Sequence, residues 1–181
     1  YRRHNRMPRY DYSQNGYYFL TICTAKHIDW LGKIENRIMV LNEYGNIVSG
    51  SWNDLPHHYS NIKPDEFVVM PNHVHGIIVI DNKVGNGFKP FPTQHGLSEI
   101  IRGFKTFSSR KINETICSKA KFHWQKSFYD HVIRNEASLD RVREYITINP
   151  ARWDADIENR NAGNGFKPFP APGDYYSQIF N

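Results

Sequence analysis

The sequence predicts an α+β domain in which helices pack on a mostly antiparallel sheet. Two observations predict it. Short β-branched and aromatic runs alternate with longer segments whose apolar residues recur at helical spacing, and two of the short runs flank only Pro71-Asn72, as an antiparallel hairpin requires.

The first run, Tyr17-Tyr18-Phe19-Leu20-Thr21-Ile22-Cys23-Thr24, follows the turn-like Ser13-Gln14-Asn15-Gly16 and reads as a strand. From Leu41 to Leu55, apolar residues at Leu41, Tyr44, Ile47, Val48 and Trp52 are spaced for a helix. Glu66 to Met70 and His73 to Ile80 form the hairpin, and the second strand, apolar on both faces, is central to the sheet. Leu97 to Ile116 carries Leu97, Ile100, Ile101, Phe104, Phe107 and Ile112 at helical spacing, with a basic flank of Arg102, Lys105, Arg110 and Lys111. Ser127 to Ile133 alternates as a strand. A helix from about Ala137 follows, with Leu139, Val142 and Ile146 on its buried stripe, and Pro150 ends it.

With 181 residues, the chain suits one core, taken as a domain over 1–153 with a loop-rich tail over 154–181. Hydrophobic residues make up 39% and aromatics 14%, a globular rather than disordered composition. Lys and Arg number 23 against 18 Asp and Glu, a net charge of +5 that favours polyanionic partners. Cys23 and Cys117 have no CxxC spacing, so two free thiols and a reducing, cytoplasmic setting are expected. No apolar run approaches the ~20 residues of a membrane-spanning helix, and Tyr1 to Arg6 lacks the apolar stretch of a signal peptide. The segment Gly85-Asn86-Gly87-Phe88-Lys89-Pro90-Phe91-Pro92 recurs identically from Gly163 to Pro170, and both copies read as loops.

Side chains two apart on a strand share a face, so His73 and His75 can share one ion while Val74 points to the opposite layer. Tyr145 and Asn149, four apart, are neighbours on one face of the last helix. Together these residues suit a divalent cation, Mg²⁺ or Mn²⁺, held by two imidazoles and an amide oxygen, beside a tyrosine that attacks phosphorus. No G-x-x-x-x-G-K-[ST] occurs, so ATP use is not expected. His57-His58 is an adjacent pair whose side chains should diverge, and Tyr129 has no amide partner at helical spacing, so neither competes for these roles. For nucleic acid, Arg2, Arg3, Arg6 and Arg9 with His4, Tyr10 and Tyr12 combine cations for phosphates with rings that can stack on bases, and the basic helix flank offers a second track.

The segment Val69-Met70-Pro71-Asn72-His73-Val74-His75-Gly76-Ile77-Ile78 resembles the hallmark of IS200-like transposases with a single catalytic tyrosine. Trp124 to Glu136 and Tyr145-Ile146-Thr147-Ile148-Asn149-Pro150 resemble their relatives, the REP-associated tyrosine transposases, and the likeness runs from about Arg9 to Trp153. The resemblance implies a ferredoxin-like core and cleavage of single-stranded DNA near hairpins of palindromic repeats, with a 5′-phosphotyrosine and a free 3′-OH as products. It implies Tyr145 as nucleophile, His73 and His75 as metal ligands, and Asn149 as the third, where insertion-sequence members usually place Gln. By the same analogy the chain acts as a monomer. A hairpin-binding module that does not cut, and a metal-dependent nuclease that uses water, are the competing readings.

Overall fold

The computed structural model describes residues 9–82, 95–116 and 119–159. In chain order they form β1 (Gly16–Cys23), β2 (Gly32–Glu35), β3 (Ile38–Leu41), α1 (Glu43–Asn53), α2 (Leu55–His58), β4 (Ile62–Val69), β5 (His73–Ile80), α3 (Leu97–Thr115), β6 (Tyr129–Ile133) and α4 (Glu136–Ile148). Short 3-10 segments follow β1 and α4. Four strands make one antiparallel sheet in the order β4-β5-β1-β6, and β1, α1, β4, β5, α3 and β6 trace the βαββαβ succession of the ferredoxin-like fold. The expected fold class is the observed one.

Both faces of this sheet are covered, which explains why its central strands carry apolar residues on both faces. Along β1, Tyr18, Leu20 and Ile22 join the larger core with Val48 and Trp52 of α1 and Ile100, Ile101 and Phe104 of α3. Phe19 points the other way, into a second core with Ile77 of β5 and Leu139, Val142, Tyr145 and Ile146 of α4. Period 2 thus assigns β5 as well: Val74 and Ile78 face α1 and α3, whereas His73, His75 and Ile77 share the face that α4 covers.

Gly76, between the two sets, is fixed by packing. A Cβ there would lie 2.6 Å from Cζ2 of Trp52 and 2.9 Å from Cδ2 of Phe67, rings that stack with centroids 4.4 Å apart directly over the strand. The largest core side chain therefore rests on the bare backbone of the strand that carries the histidines.

Each helix start has a local cause. Asn42 accepts from the Gly45 N–H (3.0 Å) at α1, and Asn135 accepts from the Ser138 N–H (2.8 Å) at α4. The edge strand β4 tolerates Pro64, and its register shifts between Pro64 and Phe67. Within that irregularity Asp65 meets Arg143 of α4 through two hydrogen bonds, Nε to Oδ1 at 2.9 Å and Nη2 to Oδ2 at 2.7 Å.

This fork fastens the tyrosine-bearing helix to the sheet edge. The hydrogen bonds from Arg143 hold the Asp65 carboxyl below its ordinary 3.8. A carboxyl depressed in the folded state stabilises fully above its unfolded value, and the contribution fades as pH falls through the lower folded value. Asp65→Asn is therefore expected to cost about 1 kcal/mol at neutral pH, the range of a partly exposed ion pair with good geometry. In urea titrations the gap between variant and parent should close below about pH 3.9, where the parent's carboxyl also protonates. A gap unchanged at acid pH would refute this contribution.

Three local readings differ from expectation. Leu41 ends β3 rather than starting a helix, and the β2–β3 hairpin was not anticipated. Its turn residues, Asn36 and Arg37, both have positive φ (50° and 66°), a geometry usually signalled by Asn-Gly, and Arg hides that signal. His57 and His58 do not diverge: at the end of α2 both rings reach the Asp54 carboxylate, at 3.0 and 3.1 Å. Among the described residues, no helix is long and apolar enough to cross a membrane.

Candidate metal and nucleophile site

The His73 and His75 rings stand together beneath α4, both fully buried, with Nε2 atoms 3.0 Å apart. Neighbouring side chains fix their orientation. The Asn72 amide nitrogen donates to the carbonyls of His27 (3.3 Å) and Glu158 (3.0 Å), so its oxygen must be the atom facing His73 Nδ1 at 2.9 Å. That oxygen can only accept, so His73 carries its proton on Nδ1 and presents the Nε2 lone pair to the site. Burial, then the neighbouring His75, pushes His73 down to about 3, which keeps the ring neutral.

His75 Nδ1 lies 3.0 Å from the Thr21 hydroxyl, which can donate or accept and so supports either tautomer. Two facing Nε2 atoms at hydrogen-bond distance need a shared proton or a shared cation. Thr21 permits the exchange of one for the other without a rearrangement.

Tyr145 projects from α4 to the same point, its hydroxyl 3.3 Å from His75 Nε2. Its ring packs edge-on against Phe19, with centroids 6.1 Å apart, and against His75 at 5.2 Å. A single chain thus brings the tyrosine to the histidine pair.

After α4 the chain does not leave the domain. Pro150 converts the helix into a 3-10 segment over Pro150–Ala155, and Trp153 packs at 6.0 Å from the His73 ring. The chain then returns Asp156 to the histidines, with Oδ2 4.0 Å from His73 Nε2 and 3.9 Å from His75 Nε2. Burial raises the Asp156 carboxyl, but the two imidazoles and the Glu158 N–H outweigh it and hold it well below the carboxylate range.

Two oxygens here lack hydrogen-bond partners although buried: Asp156 Oδ2 and Asn149 Oδ1. Unsatisfied buried acceptors are costly, and the Asp156 oxygen with the two imidazole nitrogens makes a group that could hold a divalent cation, while Asn149 lines the adjoining cleft. Tyr145, Asn149 and Asp156, with Arg141, Glu144 and Arg152, line a cleft of about 290 Å³ through which the site meets solvent.

Sequence reasoning located His73, His75, Tyr145 and Asn149, and the structure brings the first three into contact and sets Asn149 in the same cleft. It missed Asp156, which had been assigned to the tail; the only signal was Asp156-Ile157-Glu158, two acids on alternate residues after a buried-type Trp153. Of the expected DNA contacts, Arg9, Arg102, Arg110 and Lys111 are exposed. Lys105 departs from expectation: its ammonium donates to the carbonyls of Gln125 and Ser127, both at 3.0 Å, and sits over the Phe128 ring. Tyr10 and Tyr12 pack on each other (5.0 Å) and on Tyr18 rather than standing free as stacking platforms. Arg2, Arg3, Arg6, His4, Cys117 and both copies of the eight-residue repeat lie outside the described residues.

Comparison with known proteins bears on the family and the fold. The family described as "Transposase IS200 like" matches residues 27–149. A protein of Haemophilus influenzae described as uncharacterized is 36% identical over 170 residues, covering 86% of this chain and 92% of its own length. Among solved structures, a REP-associated tyrosine transposase bound to a REP hairpin superposes with a TM-score of 0.55 at 20% identity, covering 82% of this chain and 73% of that one. The fold is shared with that protein, and by the family match over most of its length the chain belongs to the IS200-like transposases.

Proposed function

We propose that the protein nicks and rejoins single-stranded DNA at hairpins formed by palindromic repeats, through a 5′-phosphotyrosine on Tyr145. The observation that carries this reading is the Tyr145 hydroxyl at 3.3 Å from His75, beside His73 and Asp156 and open to a cleft.

His73 Nε2, His75 Nε2 and the Asp156 carboxylate would hold Mg²⁺ or Mn²⁺, with the Asn149 amide oxygen as a further donor. Imidazole suits Mn²⁺ better than Mg²⁺, so Mn²⁺ should bind more tightly. Such an ion supplies charge to polarise the scissile phosphate and to stabilise the displacement. Tyr145 Oη attacks phosphorus, the P–O3′ bond breaks, the phenolic proton leaves to solvent and the departing 3′ oxygen takes one up. Packing against Phe19 and His75 holds the phenol in place before the DNA arrives, so little ordering remains at the moment of attack. The reverse attack, by a 3′-OH on the phosphotyrosine, reseals the strand without a nucleotide triphosphate.

Arg141 and Arg152 at the cleft, with Arg102, Arg110 and Lys111 on α3, would engage phosphates, and Arg2, Arg3, Arg6 and Arg9 would extend that contact. Because Tyr145 reaches the histidines of its own chain, a monomer holds a complete site.

Incubation with an end-labelled single-stranded hairpin and Mn²⁺ is expected to give a protein–DNA adduct that survives denaturing electrophoresis. Cleaved product without an adduct would instead mark a nuclease that uses water, and retention without cleavage a binding module.

A further inference from the structure

On the other side of Asn72, a second group of metal-ligand side chains is left unused by this chemistry. Cys23 ends β1, His27 closes the 3-10 segment that follows, and Glu158 arrives on the returning chain; their ligand atoms all lie within 4.8 Å of one another. His27 Nδ1 is 3.2 Å from Glu158 Oε2, with those side chains 7% and 9% exposed, and the Cys23 thiol hydrogen-bonds the Glu158 carboxylate. A thiol, an imidazole and a carboxylate converging in a buried space exceed what packing of a surface loop demands.

The surroundings restrict the His27 ring. Lys26 and His27 both adopt positive φ (59° and 54°), a conformation uncommon for such residues, at the turn that brings His27 back towards β1. His27 Nε2 lies 2.6 Å from the Gln125 side-chain amide, and Gln125 is itself fixed by its N–H to the Cys23 carbonyl at 2.8 Å. Rotating that amide by half a turn lets its oxygen accept from Nε2–H, which leaves the Nδ1 lone pair to a metal. An outer partner of this kind on a ligating histidine is the usual way a metal site sets its tautomer.

We propose that Cys23, His27 and Glu158 bind a zinc ion distinct from the cation at His73 and His75. Sulfur with nitrogen and oxygen in a three-ligand set selects Zn²⁺ over Mg²⁺ and Mn²⁺, with the fourth tetrahedral position for water. Binding releases the thiol proton to solvent as the thiolate–metal bond forms. The two sites share a scaffold: Cys23 is the register partner of His73, Asn72 bridges to both, and Asp156 and Glu158 lie two residues apart. Zinc would therefore clamp the returning segment and hold Asp156 at the histidines.

Cobalt substitution in the reduced full-length protein tests this, because only a thiolate gives cobalt a near-ultraviolet sulfur-to-metal charge-transfer band. The His73–His75–Asp156 set has no sulfur, so the result is independent of whether Tyr145 cleaves DNA. One equivalent of Co²⁺ should produce the band and one equivalent of Zn²⁺ should abolish it. Cys23→Ser should lack the band, Cys117→Ser should keep it, and Gln125→Ala should weaken Zn²⁺ binding by about 10- to 100-fold. Glu158→Gln, which leaves the thiol in place, should weaken binding similarly and decides the matter should Cys23→Ser fail to fold. No band in the parent protein, or a band that persists in Cys23→Ser or is lost in Cys117→Ser, would overturn the proposal.

Discussion

Tyr145→Phe is expected to abolish the covalent adduct and to lower strand transfer by about 10⁴-fold or more, since loss of a nucleophile removes the reaction path itself rather than one stabilising contact. The fold should barely notice. The phenyl ring keeps its edge contacts with Phe19 and His75, and the hydrogen bond lost to His75 is long, at 3.3 Å, and worth at most about 1 kcal/mol. Hairpin affinity, measured by gel shift, should stay within a few-fold of the parent, because phosphate contacts dominate such binding. The nearest rival nucleophile is Tyr129. Burial raises its phenol above the ordinary value, it lies on β6 rather than α4, and it packs edge-on against Phe19 with centroids 6.3 Å apart. Peptide mapping of the adduct should therefore find the nucleotide on Tyr145; finding it on Tyr129, or in the Phe variant, would refute the assignment.

The parts of this site that could be read in advance are those governed by local periodicity. A two-residue repeat on a strand puts His73 and His75 on one face whatever the fold, and a four-residue step on a helix aligns Tyr145 with Asn149. Apolar runs buried on both faces likewise follow from short windows of sequence, whereas the caps at Asn42 and Asn135 fix helix starts that periodicity alone misplaces by one or two residues. What escaped reading depends on the return of the chain after Pro150. A proline after a helix is ordinarily a stop, yet here it begins a 3-10 segment that carries Asp156 and Glu158 back under the sheet, and no nearby pattern announces that contact. Lys105 misled for a similar reason: its place on a basic helix flank is visible in sequence, but the Gln125 and Ser127 carbonyls that take up its ammonium come from a distant loop. The same loop positions Gln125 beside His27. Tertiary returns of this kind complete both clusters, and both rest on residues 23–27, 72–75 and 156–158 rather than on any single motif.

Cation dependence gives the second large effect and also decides between the two candidates for the third ligand. The pair His73→Ala, His75→Ala removes both imidazoles and is expected to eliminate Mn²⁺-dependent cleavage, read as adduct yield against metal concentration. Asp156→Asn keeps the size of the side chain but removes its charge. If the carboxylate is a direct ligand, Mn²⁺ affinity should fall by about 100-fold or more, beyond what loss of an outer partner usually costs. Asn149→Ala removes an uncharged oxygen and should cost nearer 10-fold, as a neutral donor contributes less to a divalent ion than a carboxylate does. The geometry gives this order its basis: Asp156 Oδ2 sits at 3.9 and 4.0 Å from the two Nε2 atoms, close enough for one ion to touch all three. Titration of the Mn²⁺ electron paramagnetic resonance signal measures each affinity without requiring turnover. A larger loss in Asn149→Ala than in Asp156→Asn would return the third position to the amide and reduce Asp156 to a neighbour of the site.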